Sequence, residues 1–339
     1  MSIVMTGGGT GGHLAIIRAV KEQLITSKDE LIYIGSTKGQ DRQWFEEDSD
    51  FKQKYFFETR GVVNQKALGK VKSLWMMFKS MLKARRVLKK HNAKVVFSVG
   101  GFSSAATAMA AKSLGIPLVI HEQNAALGSL NRLLKPYANA FISSYLDESP
   151  IKAYPIKEVF FKNARVRFDV KTIIFLGGSQ GAKAINSLAL EIAPRLKESN
   201  IKIIHQAGVN NIDEVKKAYS NLGVEAEVFG FTTKLAEYMN EADFAIARAG
   251  ASTLWELSAT GLPTLFIPYP YAASDHQYYN AEFLVKKDLA WIMREKEIDN
   301  NKVLELLNQN IETKSKGLID IVEQNGSLKI AKLLKNMVE

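Results

Sequence analysis

Two stretches of the sequence decide the fold: SIVMTGGGTGGH at residues 2–13 and TIIFLGGSQGA at residues 172–182. Each is a short apolar run that passes directly into a glycine-rich turn, a pattern typical of a strand that leads into a helix. Each also opens a series in which Val-, Ile- and Phe-rich runs alternate with longer helical patterns. The repeat predicts an α/β protein with two Rossmann-like domains. Because ligands of such sheets bind beyond the carboxyl ends of the strands, paired domains predict a cleft between them that holds the substrate.

The two series also predict the strands and the domain boundary. Strands are expected at residues 2–5, 31–34, 95–99, 117–120 and 140–143, and again at residues 172–176, 201–205, 226–229, 244–247 and 264–267. Residues 147–168 contain two prolines and no clear period, so they are predicted to form the linker. The predicted domains are residues 1–158 and 159–324. A helix with an apolar face at residues 325–339 is expected to pack back on the first domain.

Composition excludes several classes of protein. Of the 339 residues, 46% are hydrophobic and 24% charged, which is the composition of a folded globular protein. The absence of cysteine excludes disulfides, a thiol nucleophile and cysteine metal sites, and it fits a reducing cytoplasm. No apolar run reaches the roughly 18 residues that a membrane-spanning helix needs. The net charge of +10 favours anionic partners, namely nucleic acid, an acidic membrane surface or a phosphate-bearing substrate.

Three glycine turns follow predicted strands, at residues 7–12, 100–101 and 177–181. Such turns let backbone amides approach a phosphate, although glycine also serves simply to make a tight turn. The first turn matches GxGxxG, but no acidic residue closes the second strand to hold a ribose, which argues against a nicotinamide or flavin enzyme. His13 stands where a P-loop would have its lysine, which argues against a kinase or ATPase.

Polar residues that could carry chemistry follow these turns. His13 lies at a predicted helix start, where the helix dipole disfavours imidazolium, so the ring is either a general base or a capping group. His121 and the three residues after it, Glu122, Gln123 and Asn124, end a predicted strand and line the mouth of the sheet or cap the next helix. In the stretch RAGASTLWELSATGLPTLFIPYPYAASDHQ at residues 248–277, Glu256 shares a helix face with Ser252. That carboxylate either holds both hydroxyls of a ribose or is simply exposed.

The segments GGGTGGH, SVGGFSSAA, HEQN, GGSQGA and RAGASTLWE through DHQ, in this order and spacing, resemble the MurG family over nearly the whole chain. These enzymes make the lipid-linked disaccharide of peptidoglycan. The resemblance implies a GT-B glycosyltransferase that inverts the anomeric carbon. It implies transfer of N-acetylglucosamine from UDP-N-acetylglucosamine to undecaprenyl-diphosphate N-acetylmuramoyl-pentapeptide (lipid I), giving lipid II and UDP. The remaining alternatives are a GT-B enzyme with another acceptor, or an enzyme similar to UDP-N-acetylglucosamine 2-epimerase.

Carried over motif by motif, the resemblance implies His13 as the base and Glu256 as the residue that holds the ribose. The implied donor-binding residues are Thr10, Gly11, Gly12, Asn124, Arg167, Ser179, Thr232, Ala251, Ser252, Thr253, Leu254, Trp255, Glu256 and Gln277. The implied residues for the acceptor diphosphate are Gly11, Gly12, Gly100, Gly101 and Ser103. Two positions depart from the family pattern. NARVR replaces a GNPVR-like run, which leaves Arg165 as a rival of Arg167, and FTTKL surrounds Thr232 where the family has an apolar and then an acidic residue.

A basic and apolar helix is predicted at residues 69–91, GKVKSLWMMFKSMLKARRVLKKH. This mixture is expected of a helix on an anionic membrane, or of a core helix with a solvated basic face. With a polyprenyl acceptor in view, we expect peripheral attachment to the cytoplasmic face of the inner membrane, where cell-wall synthesis proteins would be partners. The residues expected to meet the membrane are Leu74, Trp75, Phe78, Lys79, Met81, Leu82, Lys83 and Arg86.

No aspartate pair of the DxD type follows a predicted strand, so we expect no obligate, tightly bound metal and no other cofactor. A nucleic-acid-binding or nucleotide-sensing protein is the rival from another class, favoured by the basic charge. The chain lacks a nucleic-acid recognition motif, and its basic residues stand beside bulky apolar ones instead of along a groove with stacking aromatics. We therefore expect no nucleic-acid partner.

Overall fold

The computed structural model describes residues 2–25, 29–59, 67–178 and 180–338. These residues divide into two compact units. Unit 1 comprises residues 1–156 together with the C-terminal residues 323–339, and unit 2 comprises residues 157–322. The chain therefore leaves unit 1, forms unit 2 and returns.

Unit 1 is built on a parallel sheet of six strands in the order β3-β2-β1-β4-β5-β6. Its strands are β1 (Ser2–Thr6), β2 (Glu30–Ser36), β3 (Gln53–Phe57), β4 (Ala93–Ser98), β5 (Leu118–Glu122) and β6 (Ala140–Ser143). Its helices are α1 (Gly11–Glu22), α2 (Asp41–Phe45), α3 (Ala67–Lys90), α4 (Ala105–Ser113), α5 (Ser129–Leu134) and, at the C-terminus, α14 (Gly326–Asn336). Helix α14 packs on α1.

Unit 2 repeats the arrangement with a parallel sheet in the order β12-β11-β10-β7-β8-β9. Its strands are β7 (Thr172–Leu176), β8 (Lys202–Gln206), β9 (Glu227–Phe229), β10 (Phe244–Ala247), β11 (Thr264–Phe266) and β12 (Trp291–Ile292). Its helices are α6 (Glu158–Lys162), α7 (Lys183–Glu198), α8 (Ile212–Asn221), α9 (Leu235–Glu241), α10 (Ala251–Ala259), α11 (His276–Val285), α12 (Asn300–Leu307) and α13 (Glu312–Ile321).

Each sheet is covered by helices whose apolar positions match the helical period. In unit 2, α7 turns Ile185, Leu188, Ile192 and Leu196 onto the sheet, and all four are buried. In unit 1, α4 presents small alanines to the core, and α3 packs against it. The central strands are buried along their whole length, as strands of a parallel sheet covered on both faces should be.

The structure adds one strand to the predicted set at one edge of each sheet. Strands β3 and β12 were not predicted, and both lie at an edge, where one neighbour is missing and burial is incomplete. The residues predicted as a linker are also more ordered than expected, because they include α6 and the segment after it belongs to unit 2. Among the described residues, no helix combines the length and the apolar character that crossing a membrane requires.

Candidate active site

The glycine turns lie at the switch point of each sheet. In unit 1, β1 has β2 on one side and β4 on the other, and in unit 2, β7 has β8 and β10. At such a point the connections leave in opposite directions and open a crevice beyond the carboxyl ends of the strands. The turns at Gly7 and Gly100 follow β1 and β4, and the turn at Gly177 and the segment ending at Gly250 follow β7 and β10. The sequence motifs therefore occupy the places in each unit where ligands bind.

The turns of unit 1 interlock so closely that glycine is required. Gly8 donates its amide to the carbonyl oxygen of Gly100 at 3.4 Å. Gly101 has a φ of +79°, and a Cβ there would lie 2.5 Å from the carbonyl oxygen of Gly8. These glycines are explained by the packing of the loops on each other. Gly100 is buried, so the expected contact of Gly100 and Gly101 with an acceptor diphosphate stays a prediction.

His13 lies in the first turn of α1 and contacts two polar side chains. The Oγ1 of Thr10 is 2.8 Å from Nδ1 of His13. The amide nitrogen of Gln123 lies beside both ring nitrogens, 3.1 Å from Nε2 and 3.3 Å from Nδ1. The first turn of α1 contains no acidic residue that would favour imidazolium. The ring is thus held at the carboxyl edge of the sheet, as a general base would have to be.

Glu122, the last residue of β5, orders the loop that follows the strand. Glu122 is buried and accepts hydrogen bonds from the amides of Asn124 and Gly128, at 3.0 and 2.9 Å, and from the side chain of Asn131 at 2.9 Å. These bonds order the loop that carries Asn124, which is partly buried. Burial and, to a smaller extent, nearby His13 lower the pKa of His121 to about 3. His121 is therefore neutral at physiological pH.

Ser103, at the turn before α4, is buried. It is 2% exposed. Its hydroxyl has no hydrogen-bond partner among the residues that the structure describes. Gly11 and Gly12 are partly exposed at the start of α1, and the contacts of Ser103, Gly11 and Gly12 with an acceptor diphosphate stay predictions.

In unit 2, the first turn of α10 is open. Gly250 precedes the helix with φ −63° and ψ 139°, and a Cβ added there would meet nothing within 4 Å. Ser252 and Thr253 are partly exposed, whereas Ala251 is 6% exposed and Leu254 and Trp255 are 0% and 3% exposed. The amide of Leu254 is also engaged, because it donates to the carbonyl oxygen of Gly250 at 2.9 Å. The side chains of Leu254 and Trp255 are therefore turned into the core, and the donor contacts expected of residues 251–256 stay predictions.

Glu256 follows on the partly exposed face of α10. Burial raises the pKa of its carboxyl to about 8, and the positive charge of Lys157 opposes the shift. A carboxyl group with such a pKa exchanges a proton near neutral pH and forms hydrogen bonds readily with hydroxyl groups. This is compatible with the expected contact with a ribose.

Gln277 lies in the first turn of α11, which begins after a strained turn. Ser274 and Asp275 both have a φ of +52°. Arg294 holds this turn, because it donates to Asp275 at 2.7 Å and its guanidinium lies 4.1 Å from the ring centre of Tyr278. The Oε1 of Gln277 accepts the amide of Tyr269 at 3.0 Å. Arg294 could not be predicted from the sequence, because a single arginine after a short edge strand carries no motif.

Arg167 has a structural role that the sequence did not reveal. It is completely buried, and its guanidinium donates to the carbonyl oxygens of Met239 and Ala242 at the end of α9, of Thr260 at the end of α10, and of Arg165. Helix C-termini carry partial negative charge, so a cation is favourable there. Burial and, to a smaller extent, the charge of Arg165 lower the pKa of Arg167 to about 9, against the opposing charge of Asp243. The guanidinium is engaged inside unit 2, and the donor contact expected of Arg167 stays a prediction.

The rival, Arg165, is also anchored, through the carbonyl oxygen of Asn240 at 2.7 Å and the carboxylate of Asp243 at 2.8 Å. Thr232 is partly exposed, and its hydroxyl accepts the amide of Lys234 at 3.0 Å. Ser179 lies outside the described residues. The donor contacts expected of Thr232 and Ser179 stay predictions.

Helix α3 exposes an apolar and basic face. Trp75, Phe78 and Leu82 are 57%, 48% and 41% exposed, and the rings of Trp75 and Phe78 stack 6.0 Å apart. The cations Lys79, Lys83 and Arg86 are exposed on the same side by helical spacing. Met81 instead packs against the core of unit 1, and the side chain of Leu74 lies outside the described set. Among the described residues, no group of three acidic or histidine side chains could hold a metal ion.

Models of the N-terminal and C-terminal domains of glycosyltransferase family 28 match residues 3–143 and 172–335. The chain is 78% identical, over 99% of both chains, to the UDP-N-acetylglucosamine--N-acetylmuramyl-(pentapeptide) pyrophosphoryl-undecaprenol N-acetylglucosamine transferase of Sulfurovum sp.. It is 54% identical, over 94% of both chains, to the protein of the same name from Sulfurimonas denitrificans. The crystal structure of Acinetobacter baumannii MurG matches with a TM-score of 0.82 and 25% identity, over 99% of both chains.

Two parallel sheets of this order, with glycine turns at each switch point, define the GT-B class of glycosyltransferases. The chain belongs to the MurG family within glycosyltransferase family 28. The family predicted from the sequence is thereby confirmed.

Proposed function

We propose that this chain transfers N-acetylglucosamine from UDP-N-acetylglucosamine to undecaprenyl-diphosphate N-acetylmuramoyl-pentapeptide and releases UDP. The observation that carries the proposal is the 78% identity to a relative with this named activity, over 99% of both chains. The positions of His13 in unit 1 and of α10 in unit 2 support it. Each lies at the switch point of its own sheet, where a parallel sheet binds ligands.

The proposed reaction is a direct displacement that inverts the anomeric carbon. A muramoyl hydroxyl oxygen forms the new bond to that carbon while the bond from the carbon to the diphosphate oxygen of UDP breaks. The hydroxyl proton passes to His13, and UDP leaves with the electron pair of the broken bond. Contacts of the ring with Thr10 and Gln123 limit its rotation, so the accepting nitrogen keeps one position. The N-terminus of α1 disfavours a prior charge on the ring, which leaves it free to accept the proton.

Unit 2 is proposed to hold the UDP group. The amides in the first turn of α10 have no acceptors within the helix and point towards its open end. They would stabilise the diphosphate as its charge increases, and Glu256, on the same face as Ser252, would hold the ribose hydroxyls. We propose that this stabilisation makes a tightly bound metal unnecessary. Activity should therefore survive thorough treatment with EDTA, and a loss that only a divalent metal restores would contradict the proposal.

Unit 1 is proposed to attach to an anionic membrane, on the cytoplasmic side, through the exposed face of α3. Aromatic and aliphatic side chains would enter the interface while Lys79 and Lys83 pair with lipid phosphates. We expect the double variant Lys79→Glu/Lys83→Glu to bind vesicles containing anionic phosphatidylglycerol at least about tenfold more weakly, because each charge contributes about 1 kcal/mol at the surface.

The matched control is Lys216→Glu/Lys217→Glu, which makes the same charge change on exposed positions of α8 in unit 2. It should bind these vesicles nearly as well as the unchanged protein. Equal weakening by both double variants would attribute binding to net charge and would contradict a specific role of α3.

The experiment that tests the reaction measures UDP release from UDP-N-acetylglucosamine, with and without the undecaprenyl-linked acceptor in detergent, and the mass of the lipid product. We expect acceptor-dependent release and a product heavier by one N-acetylhexosamine unit. Acceptor-independent release would indicate an epimerase or a hydrolase. No release with either substrate would contradict the proposal.

A further inference from the structure

We propose that Asp41 is a positioning residue of the transfer reaction, because its buried carboxylate fixes the glycine turn that carries Thr10 and His13. This inference rests on the function proposed above. Asp41 is the first residue of the short helix α2 and is 0% exposed. No sequence motif contains it, and it does not lie in β1 or in the neighbouring strands β2 and β4.

The carboxylate of Asp41 ties together three segments of unit 1. Its Oδ2 accepts the backbone amide of Gly9 at 2.7 Å. Its Oδ1 accepts the amide of Ser36 at 2.9 Å and lies 3.1 Å from the hydroxyl of Tyr33. The same hydroxyl lies 2.9 Å from the carbonyl oxygen of Gly7. The end of β2, the start of α2 and the turn after β1 therefore meet at one side chain.

The steric contacts fit this arrangement. A Cβ at Gly8 would lie 2.6 Å from Oδ1 of Asp41, and one at Gly39 would lie 2.7 Å from Cα of Gly9. The turn thus lies directly against the carboxylate and against the loop before α2. Burial and the negative charge of Asp41 both raise the pKa of Tyr33, so its phenol keeps its proton and remains a donor.

Asp41 has no cationic partner among the ion pairs of the described residues. A buried carboxylate that is satisfied only by neutral donors loses hydration that a salt bridge would partly replace. Such a group orders its donors strongly, because leaving any of its bonds unmade inside the protein is costly. Here the donors are the backbone of the glycine turn and its neighbours.

Asp41 can affect the reaction because only a few residues separate Gly9, whose amide it accepts, from the proposed base His13. The amide that Asp41 holds precedes Thr10 by one residue, and the Oγ1 of Thr10 contacts His13 at 2.8 Å. Gly7, Gly8 and Gly9 all have positive φ values, so the turn has little stiffness of its own. The other backbone bond of the turn, from Gly8 to Gly100, is long at 3.4 Å. The bond from Gly9 to Asp41, at 2.7 Å, is therefore the shorter of these two restraints on the turn before Thr10.

Asp41→Asn tests the proposal, because an amide has the same shape but one acceptor oxygen fewer, and its NH2 group would face a backbone N–H. We expect kcat to fall at least about tenfold, because small misplacements of a base are costly. We expect KM for UDP-N-acetylglucosamine to rise by a smaller factor than kcat falls, because the proposed ribose and diphosphate contacts lie in unit 2 and only the expected contacts of Thr10, Gly11 and Gly12 lie next to the turn. The matched control is Asp48→Asn, which weakens a partly buried bond to Lys21 elsewhere in unit 1.

A second measurement does not need activity. Amide hydrogen exchange should speed up at residues 9–14 in Asp41→Asn and not in Asp48→Asn, under conditions where both variants are folded. Equal losses of kcat in the two variants, in proportion to their loss of thermal stability, would reduce Asp41 to a structural residue. Unchanged exchange at residues 9–14 would overturn the proposal as well. If the unchanged protein transfers no sugar, the proposed function fails, while the exchange experiment still decides whether Asp41 holds the turn.

Discussion

The turn after β1 and the start of α10 both carry glycine at a switch point, but they use it differently. In unit 1 the turn after β1 is closed in by Asp41 and by the turn after β4, and Gly8 and Gly101 leave no room for a side chain. In unit 2 the space beside Gly250, at the start of α10, is open. Unit 2 also has packed glycines, because a Cβ at Gly181, in the turn after β7, would collide with the carbonyl oxygen of Ala207. Glycine therefore serves loop packing after β1 and β7 and leaves space at the start of α10. Similar motifs do not imply similar contacts with a ligand.

The largest effect is expected at His13, where unit 1 is proposed to carry the proton chemistry. His13→Gln should lower kcat by about 10²–10⁴-fold, the usual contribution of a general base. KM for the donor should change little, and the variant should remain folded, because His13 is only partly buried. Steady-state kinetics of UDP release measures both constants. A kcat within about threefold of the unchanged protein would remove His13 from the mechanism.

Gly101→Ala tests whether the turns of unit 1 are fixed by packing. The new Cβ would meet the carbonyl oxygen of Gly8 at 2.5 Å in a backbone with φ +79°, so we expect unfolding to require about 3 kcal/mol less free energy. Urea unfolding followed by circular dichroism measures this. Gly115→Ala is the control, because its φ is +67° but its Cβ would meet nothing within 4 Å. The control should lose only about 1 kcal/mol, and equal losses would show that backbone strain, and not packing, explains the effect.

The sequence predicted the parts of the fold and site that depend on local patterns. Buried central strands and glycine turns are such patterns, and together they placed His13 and the start of α10 at carboxyl edges of the sheets, whereas Gln277 came from the family resemblance alone. Strands β3 and β12 were not predicted, because an edge strand is short and only partly buried. The burial of Arg167 was not predicted, because the convergence of two helix ends on one side chain is a tertiary feature. Asp41 was missed for the same reason, since its donors come from positions 9, 33 and 36.

Glu256→Gln tests whether the partly exposed face of α10 in unit 2 disfavours a negative charge. The pKa of Glu256 is raised from 4.5 to about 8, so the folded protein binds its proton more tightly than the unfolded chain does. Its contribution to stability is therefore full below pH 4.5 and decreases as the pH rises towards 8. Glutamine removes this dependence. At pH 8.5 the variant should be more stable by about 1–3 kcal/mol, a range that allows for partial exposure.

Thermal unfolding of Glu256→Gln and of the unchanged protein between pH 5 and 9 measures the difference. Parallel stability curves would contradict the raised pKa. Above pH 8, where the carboxyl group is ionised, the variant should also bind UDP more weakly if the carboxylate holds the ribose, because an amide replaces one acceptor oxygen with a donor. Titration calorimetry with UDP separates this loss of affinity from the gain in stability.

Gly250→Ala should have the smallest effect, and it is confined to binding. Its φ of −63° suits alanine and the new methyl group has space, so the free energy of unfolding should change by less than about 0.5 kcal/mol. If the diphosphate lies against the first turn of α10, the methyl group occupies part of that space, and KM for UDP-N-acetylglucosamine should rise about tenfold, or about 1.4 kcal/mol. An unchanged KM in a folded variant would mean that the donor does not use this space. The open end of α10 would then differ from the packed turns of unit 1 for a reason unrelated to the donor.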